Sequence, residues 1–312
     1  MSHLFARRTP ATILGILALL FWGSAIAFTR SLSEAVGTLT SASCVYLLAG
    51  GAACAHLMLA PAARRRLKTL RRRYWAGCGA LFVLYTISLY LAVGLARGRQ
   101  QVIEAGMINY LWPSLMLVLS VPLLRQRARW TLAPGILLAG AGVVLATLQR
   151  GPVSLGTFLD NARDNAWPYL LALVAAVSWA LYSDLSRRWA GHAQGNGVPV
   201  FLLATGFALT ALRPCFDEAP EWTPRAAAEL LYMAAFPTLL AYVFWDTAMR
   251  QGNVILVGSL AYFTPLLSAA ISCVHLRVLP GPKLWAACVL VIVGAAVCNR
   301  SVFEKEVNPP AR

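Results

Sequence analysis

Apolar residues run along this chain in long blocks rather than in alternating or one-faced patterns. Ten mostly apolar stretches stand out, at roughly 10–29, 39–60, 74–96, 102–124, 131–148, 167–186, 198–213, 225–249, 254–276 and 282–299. A hydrocarbon core of ~30 Å needs about 20 such residues at a rise of ~1.5 Å each. Each stretch therefore predicts a membrane-spanning helix, the seventh being the shortest. The connections are short and leave no room for a separate soluble domain. The first stretch is too long for a signal peptide and is read as a helix that stays.

Composition agrees with that reading. Of 312 residues 59% are apolar and 12% charged, against about 45–50% and ~25% in an ordinary soluble domain. A soluble protein cannot hide so much apolar surface. A soluble enzyme, a disulfide scaffold and a disordered chain are all excluded. The seven cysteines act as small hydrophobes in or near the spans.

The net charge of +15, from 27 Lys+Arg and 12 Asp+Glu, is a topology signal. With the N-terminus inside, the inner segments carry 18 of the basic residues and the outer segments nine. The block Arg64, Arg65, Arg66, Lys68, Arg71, Arg72 and Arg73 dominates this bias. It suits anionic lipid and does not call for nucleic acid. An even number of spans then puts both termini in the cytoplasm.

The chain also repeats itself. At an offset of 152 residues, with no gap, Tyr90 matches Tyr242, Gly106 matches Gly258 and Tyr110 matches Tyr262. Pro113 likewise matches Pro265, and Gly142 matches Gly294. At a slightly larger offset, Phe21-Trp22 matches Ser178-Trp179, each followed by an arginine, Arg30 or Arg187. Two halves of five spans follow, 1–150 and 151–312. Five is odd, so the second half must be inverted, as in many secondary transporters.

Position along each span places Trp22, Tyr85, Trp112, Pro113, Trp179 and Pro265 near mid-depth. Trp75, Trp130, Trp167 and Trp285 sit at span ends, where indoles ordinarily gather. A mid-membrane indole N–H needs a partner, either a facing helix or a wet cavity. Two readings stay open for these rings: core packing or the lining of a path. Neutral polar groups accompany them, namely Ser24, Ser88, Asn109, Ser114, Tyr182, Ser259 and Thr264. Aromatic rings with neutral donors and acceptors suit a flat side chain by stacking and an ammonium by cation–π contact. Pro113 and Pro265 predict bends inside spans four and nine. With Gly106 and Gly258 they are candidate hinges, unless the kinked packing is static.

The early Trp22-Gly23-Ser24, the paired prolines and the inverted five-span halves resemble the drug/metabolite transporter superfamily, EamA type. Within it the chain is similar to the aromatic amino acid exporters of bacterial inner membranes. The resemblance implies an all-α integral membrane fold of ten helices around a central cavity, with spans five and ten behind. It implies export of Phe, Tyr and Trp, and of Thr or other neutral amino acids. The candidate substrate-binding residues are Trp22, Tyr85, Tyr90, Asn109, Tyr110, Trp112, Trp179, Tyr182, Tyr242, Ser259 and Tyr262. Trp112 departs from the repeat, its counterpart being Thr264.

Acidic groups near the spans are few. Asp184 and Asp246 fall near the inner ends of spans six and eight, and Glu104 near the outer end of span four. They are read as wet end groups, the two aspartates paired with Arg187, Arg188 or Arg250, rather than as proton relays. His56 and His275 lie near span ends and build no site. No phosphate-binding loop, metal-ligand spacing or catalytic cluster is present, so no cofactor, metal or enzyme activity is expected. A nucleotide-sugar carrier would need mid-depth Lys or Arg, and none is found. The expectation is a monomeric secondary transporter that works by alternating access as a uniporter, with the bilayer and a small molecule as its partners. The alternative is a broad drug or metabolite exporter driven by proton antiport.

Overall fold

A computed structural model describes residues 2–148, 155–190, 193, 195–267 and 282–303. Helices dominate it: α1 Ser2–Val36, α2 Thr38–Leu59, α3 Pro61–Leu67, α4 Gly79–Gly94, α5 Arg99–Asn109, α6 Trp112–Leu123 and α7 Leu132–Leu148. There follow α8 Leu155–Asp164, α9 Trp167–Ala190, α10 Val198–Leu212, α11 Pro224–Met233, α12 Ala241–Gln251, α13 Val254–Leu260 and α14 Pro282–Ser301. One short antiparallel pair, β1 Arg127–Ala128 with β2 Val302–Phe303, ties the α6–α7 connection to the end of α14.

Among the described residues, six helical segments are long and apolar enough to cross a membrane: Thr38–Leu59, Tyr74–Gly94, Gln100–Leu123, Trp167–Ala190, Val198–Cys215 and Pro224–Gln251. Four shorter apolar helices accompany them, Thr9–Ala25, Leu132–Leu145, Val254–Leu267 and Trp285–Ser301. The fold is that of a multi-pass membrane protein. Residues 268–276 of the ninth predicted stretch, with His275, lie outside the described residues.

Several local features depart from the hydropathy reading. α1 runs on to Val36 and stops at Gly37, whose φ of 92° only glycine adopts without strain. α3 and α8 are extra helices in stretches expected to be connections. The helix through α4 begins with a π turn, Tyr74–Cys78, and α11 joins α12 through another, Ala234–Leu240. Pro237 sits inside the second. A wider turn accommodates the missing N–H of proline. Pro113 does not bend a continuous helix. The chain breaks at Tyr110–Leu111, and Pro113 lies in the first turn of α6, where its lost N–H costs nothing. In the other half a 3-10 turn, Ala261–Phe263, interrupts the backbone just before Pro265.

Small residues set the packing. α7 lies on α14, α2 on α10, α4 on α9 and α1 on α12. In the α7–α14 pair a Cβ on Gly294 would stand 2.4 Å from the backbone nitrogen of Ala139. One on Gly142 would stand 2.9 Å from the Ala287 carbonyl oxygen. Lipid is as apolar as leucine, so close backbone approach rather than water exclusion holds such helices together. Gly258 differs, since a Cβ there would meet the flexible tip of Met116 at 2.1 Å rather than backbone, and Gly106 faces open space.

At the end away from the arginine blocks, the α10–α11 connection caps α2. The Glu218 carboxylate accepts from the backbone amides of Leu39 and Thr40, each at 2.8 Å, and from the Thr40 hydroxyl at 2.7 Å. Partial burial opposes the charge on Glu218. These donors, with Arg213 nearby, outweigh that and hold its carboxyl below the usual range.

Candidate functional site

Three helices each carry two aromatic residues three apart: Phe82 and Tyr85 on α4, Trp179 and Tyr182 on α9, Tyr242 and Trp245 on α12. That spacing puts both rings of a pair on one helix face. The helices pack so that the three faces meet, and Trp22 from α1 and Trp112 from α6 complete the group. Trp179 is its centre, 1% exposed. Its ring centroid lies 4.6 Å from Tyr85, 5.0 Å from Tyr182 and 5.6 Å from Trp22. Trp245 lies 5.2 Å from Trp22 and 5.4 Å from Trp112, and Phe82 lies 4.9 Å from Tyr242.

The polar edges of Trp22, Trp245 and Tyr242 find partners. Trp22 Nε1 donates to the carbonyl oxygen of Pro237 at 3.0 Å, inside the second π turn. Trp245 Nε1 donates to Ser183 Oγ at 3.1 Å. The hydroxyls of Tyr46 and Tyr242 share a hydrogen bond of 2.8 Å, and Tyr90 stands edge-on to Tyr46 at 6.3 Å. The facing-helix alternative therefore holds for the Trp22 indole.

Of the sequence candidates, Trp22, Tyr85, Trp112, Trp179, Tyr182 and Tyr242 come together, with Tyr90 at the margin. Tyr110 and Tyr262 do not join them. They pack with Leu117, Ala139 and Val291 in a separate apolar group against α7 and α14. Tyr262 shares a 2.6 Å hydrogen bond with Ser114 across to α6. Asn109 Oδ1 and Ser259 Oγ are buried without a hydrogen-bond partner, as is Thr264 Oγ1. Trp245 and Phe82 were missed by the sequence reading, although the three-apart aromatic spacing on α4 and α12 signals both.

The acidic residues correct an expectation. Asp184 and Asp246 are not wet: both side chains are wholly buried. Asp246 is paired with Arg250 as expected, at 3.0 Å, and also accepts from Tyr74 and Tyr182 hydroxyls, each at 3.1 Å. Asp184 has no hydrogen-bond partner on either oxygen. Arg187, one turn on, donates to the carbonyls of Met249 and Gly252, and its charge also acts on Asp184. Glu104 is buried too, and accepts from Tyr169, Asn161 and Gln100. At the span ends Trp130, Trp167 and Trp285 are exposed, whereas Trp75 packs against Phe201 at 5.7 Å.

The sequence profile of the EamA-like transporter family matches twice, over residues 9–148 and 166–300. The chain is 30% identical to the aromatic amino acid exporter YddG of Salmonella typhimurium, over 92% of this chain and 96% of that protein. It is 33% identical to the aromatic amino acid exporter YddG of Ancylobacter novellus, over 94% of this chain and 98% of that protein. A solved crystal structure with 28% sequence identity superposes with a TM-score of 0.76, covering 93% of this chain and 97% of its own. The protein is thus a multi-pass membrane transporter, not an enzyme, and the chain belongs to the EamA-like transporter family.

Proposed function

We propose that the protein exports aromatic and other small hydrophobic amino acids across a bacterial inner membrane, by alternating access and as a uniporter. The observation that carries this reading is the aromatic group centred on Trp179, which draws rings from both halves of the chain. Such a group offers stacking surface to a flat side chain and ring faces to an ammonium. The names of the YddG relatives point the same way.

In this reading ten helices form two inverted halves, 1–150 and 151–312. The two family matches support it. So does the packing: exchanging the halves turns the α1–α12 pair into the α9–α4 pair and returns α2–α10 and α7–α14 to themselves. The breaks ahead of Pro113 and Pro265 serve as pivots, with Gly106 and Gly258 beside them. Both termini are cytoplasmic, on the side of the arginine blocks, and one chain encloses the path. Tyr90 borders the path at the margin of the aromatic group, Asn109 and Ser259 offer it buried polar atoms with no hydrogen-bond partner, and Tyr110 and Tyr262 brace its wall against α7 and α14.

Efflux of labelled Phe, Tyr, Trp and Thr from proteoliposomes tests the reading. Trp22→Ala, Trp112→Ala and Trp179→Ala should each slow it, and normal flux in all three rejects the aromatic path. A second reading, proton antiport with a broader drug or metabolite range, is favoured by Asp184, a buried carboxyl with no hydrogen-bond partner. Flux that requires a pH gradient, and loses that requirement in Asp184→Asn, would select it.

A further inference from the structure

Directly beside the aromatic group, toward the arginine-rich end, lies a buried polar node. Asp246 follows Trp245 directly on α12, and Arg250 lies one turn further on. Asp246 accepts from Arg250 on its own helix, from Tyr182 on α9 and from Tyr74 in the first π turn. Tyr74 in turn accepts from the Gly197 amide at 3.3 Å, and its ring lies under the Arg250 guanidinium at 5.9 Å. The remaining guanidinium contacts go to the carbonyls of Gly195 and Ala193. Tyr74 is the member that comes from the first half of the chain; Tyr182, Ala193, Gly195, Gly197, Asp246 and Arg250 all come from the second.

We propose that this node is the gate on the arginine-rich side: the Tyr74 hydroxyl latches the first half onto Asp246 and Gly197, and the seam parts there when that side opens. The division of charge fits a seam that opens repeatedly. A buried ion pair is costly to break, because it strands a charge. Here the Asp246–Arg250 pair lies within one helix, and parting the halves leaves it whole. Within the node, the Tyr74 hydroxyl bonds and the Tyr74 ring face cross the seam, and no ion pair does. Bonds of that kind can be exchanged for water as the side opens. The π turn that carries Tyr74 is a conformation that a helix can rewind. The proposal rests on the reading that substrate passes between the two halves.

Cys78, fully buried at the end of the same π turn, reports on the seam. The test uses full-length protein in which Cys44, Cys54, Cys215, Cys273, Cys288 and Cys298 are replaced by alanine. A membrane-impermeant maleimide is applied to everted vesicles and to intact cells, without substrate. Tyr74→Phe, which removes one oxygen, should raise Cys78 labelling in everted vesicles by about ten- to a hundredfold, the factor that a hydrogen bond to a charged acceptor is worth. Labelling in intact cells should not change. Asp246→Asn should act in the same direction, and Tyr74→Phe decides alone if that variant does not insert. An unchanged rate in Tyr74→Phe, or a rise from the outside or from both sides, overturns the latch. Because labelling needs no substrate, a sided rise without amino acid flux would instead condemn the transport reading and leave the gate standing.

Discussion

Replacing Trp179 by alanine removes the ring on which the aromatic group is built. Seven other rings have centroids within 6.5 Å of it, and Tyr182 and Trp245 are stacked on it with interplanar angles of 23° and 27°. Two consequences follow, and their sizes differ. A buried Trp→Ala change costs about 3–5 kcal/mol of stability, since the neighbours refill the space only in part. For transport, each aromatic contact is worth about 0.5–1.5 kcal/mol beyond its area. Losing one contact to the substrate and one that orients Tyr85 removes about 1–3 kcal/mol, or roughly 5–150-fold in half-saturation. Trp179→Phe separates the two, because it keeps a stackable ring and most of the packing. The assay is efflux of labelled Phe from proteoliposomes across a concentration series, normalised to protein that elutes as a single folded species. Trp179→Ala should raise half-saturation within that range, and Trp179→Phe only a few-fold. A folded Trp179→Ala protein with unchanged half-saturation for Phe would refute a substrate path through these rings.

Further outcomes follow from the packing. Gly294→Leu should drive α14 off α7, because its Cβ already falls 2.4 Å from backbone; a melting temperature equal to that of the parent would contradict the close approach. Trp22→Phe removes the donor to Pro237 and should lower stability by about 0.6–2 kcal/mol, the range for hydrogen bonds between membrane helices, read as a lower melting temperature. Glu218→Gln should cost about 1–2 kcal/mol near neutral pH by weakening the cap on α2. Because folding lowers the Glu218 pKa, its contribution is complete above the unfolded value of ~4.3 and fades as pH falls through the lower folded value. The gap in melting temperature between parent and Glu218→Gln should therefore close in acid, and a gap that widens there would reverse the sign.

Hydropathy along the chain was enough to recognise a helical membrane protein, because crossing a bilayer demands length and apolarity, and both are properties of one contiguous segment. The same counting along a helix gives the expectation that Trp22, Trp112 and Trp179 lie near mid-depth. Which face of each helix turns inward was not legible. Lipid and protein interior are equally apolar, so a spanning helix carries little polar contrast to mark its buried side. Tyr110 and Tyr262 thus looked like partners of Trp179 and instead pack toward α7 and α14. Trp245 and Phe82 went unnoticed until α4, α9 and α12 were brought face to face. Asp246 shows the same limit: the sequence supplied Arg250 one turn away, but only tertiary packing could add Tyr74 and Tyr182, 172 and 64 residues distant. The sequence by itself determined the apolar segments and the charge bias along the chain. The tertiary structure decided which rings meet, which carboxyl is hydrogen-bonded and which is not, because those depend on how helices rotate against one another, and local sequence does not encode that rotation.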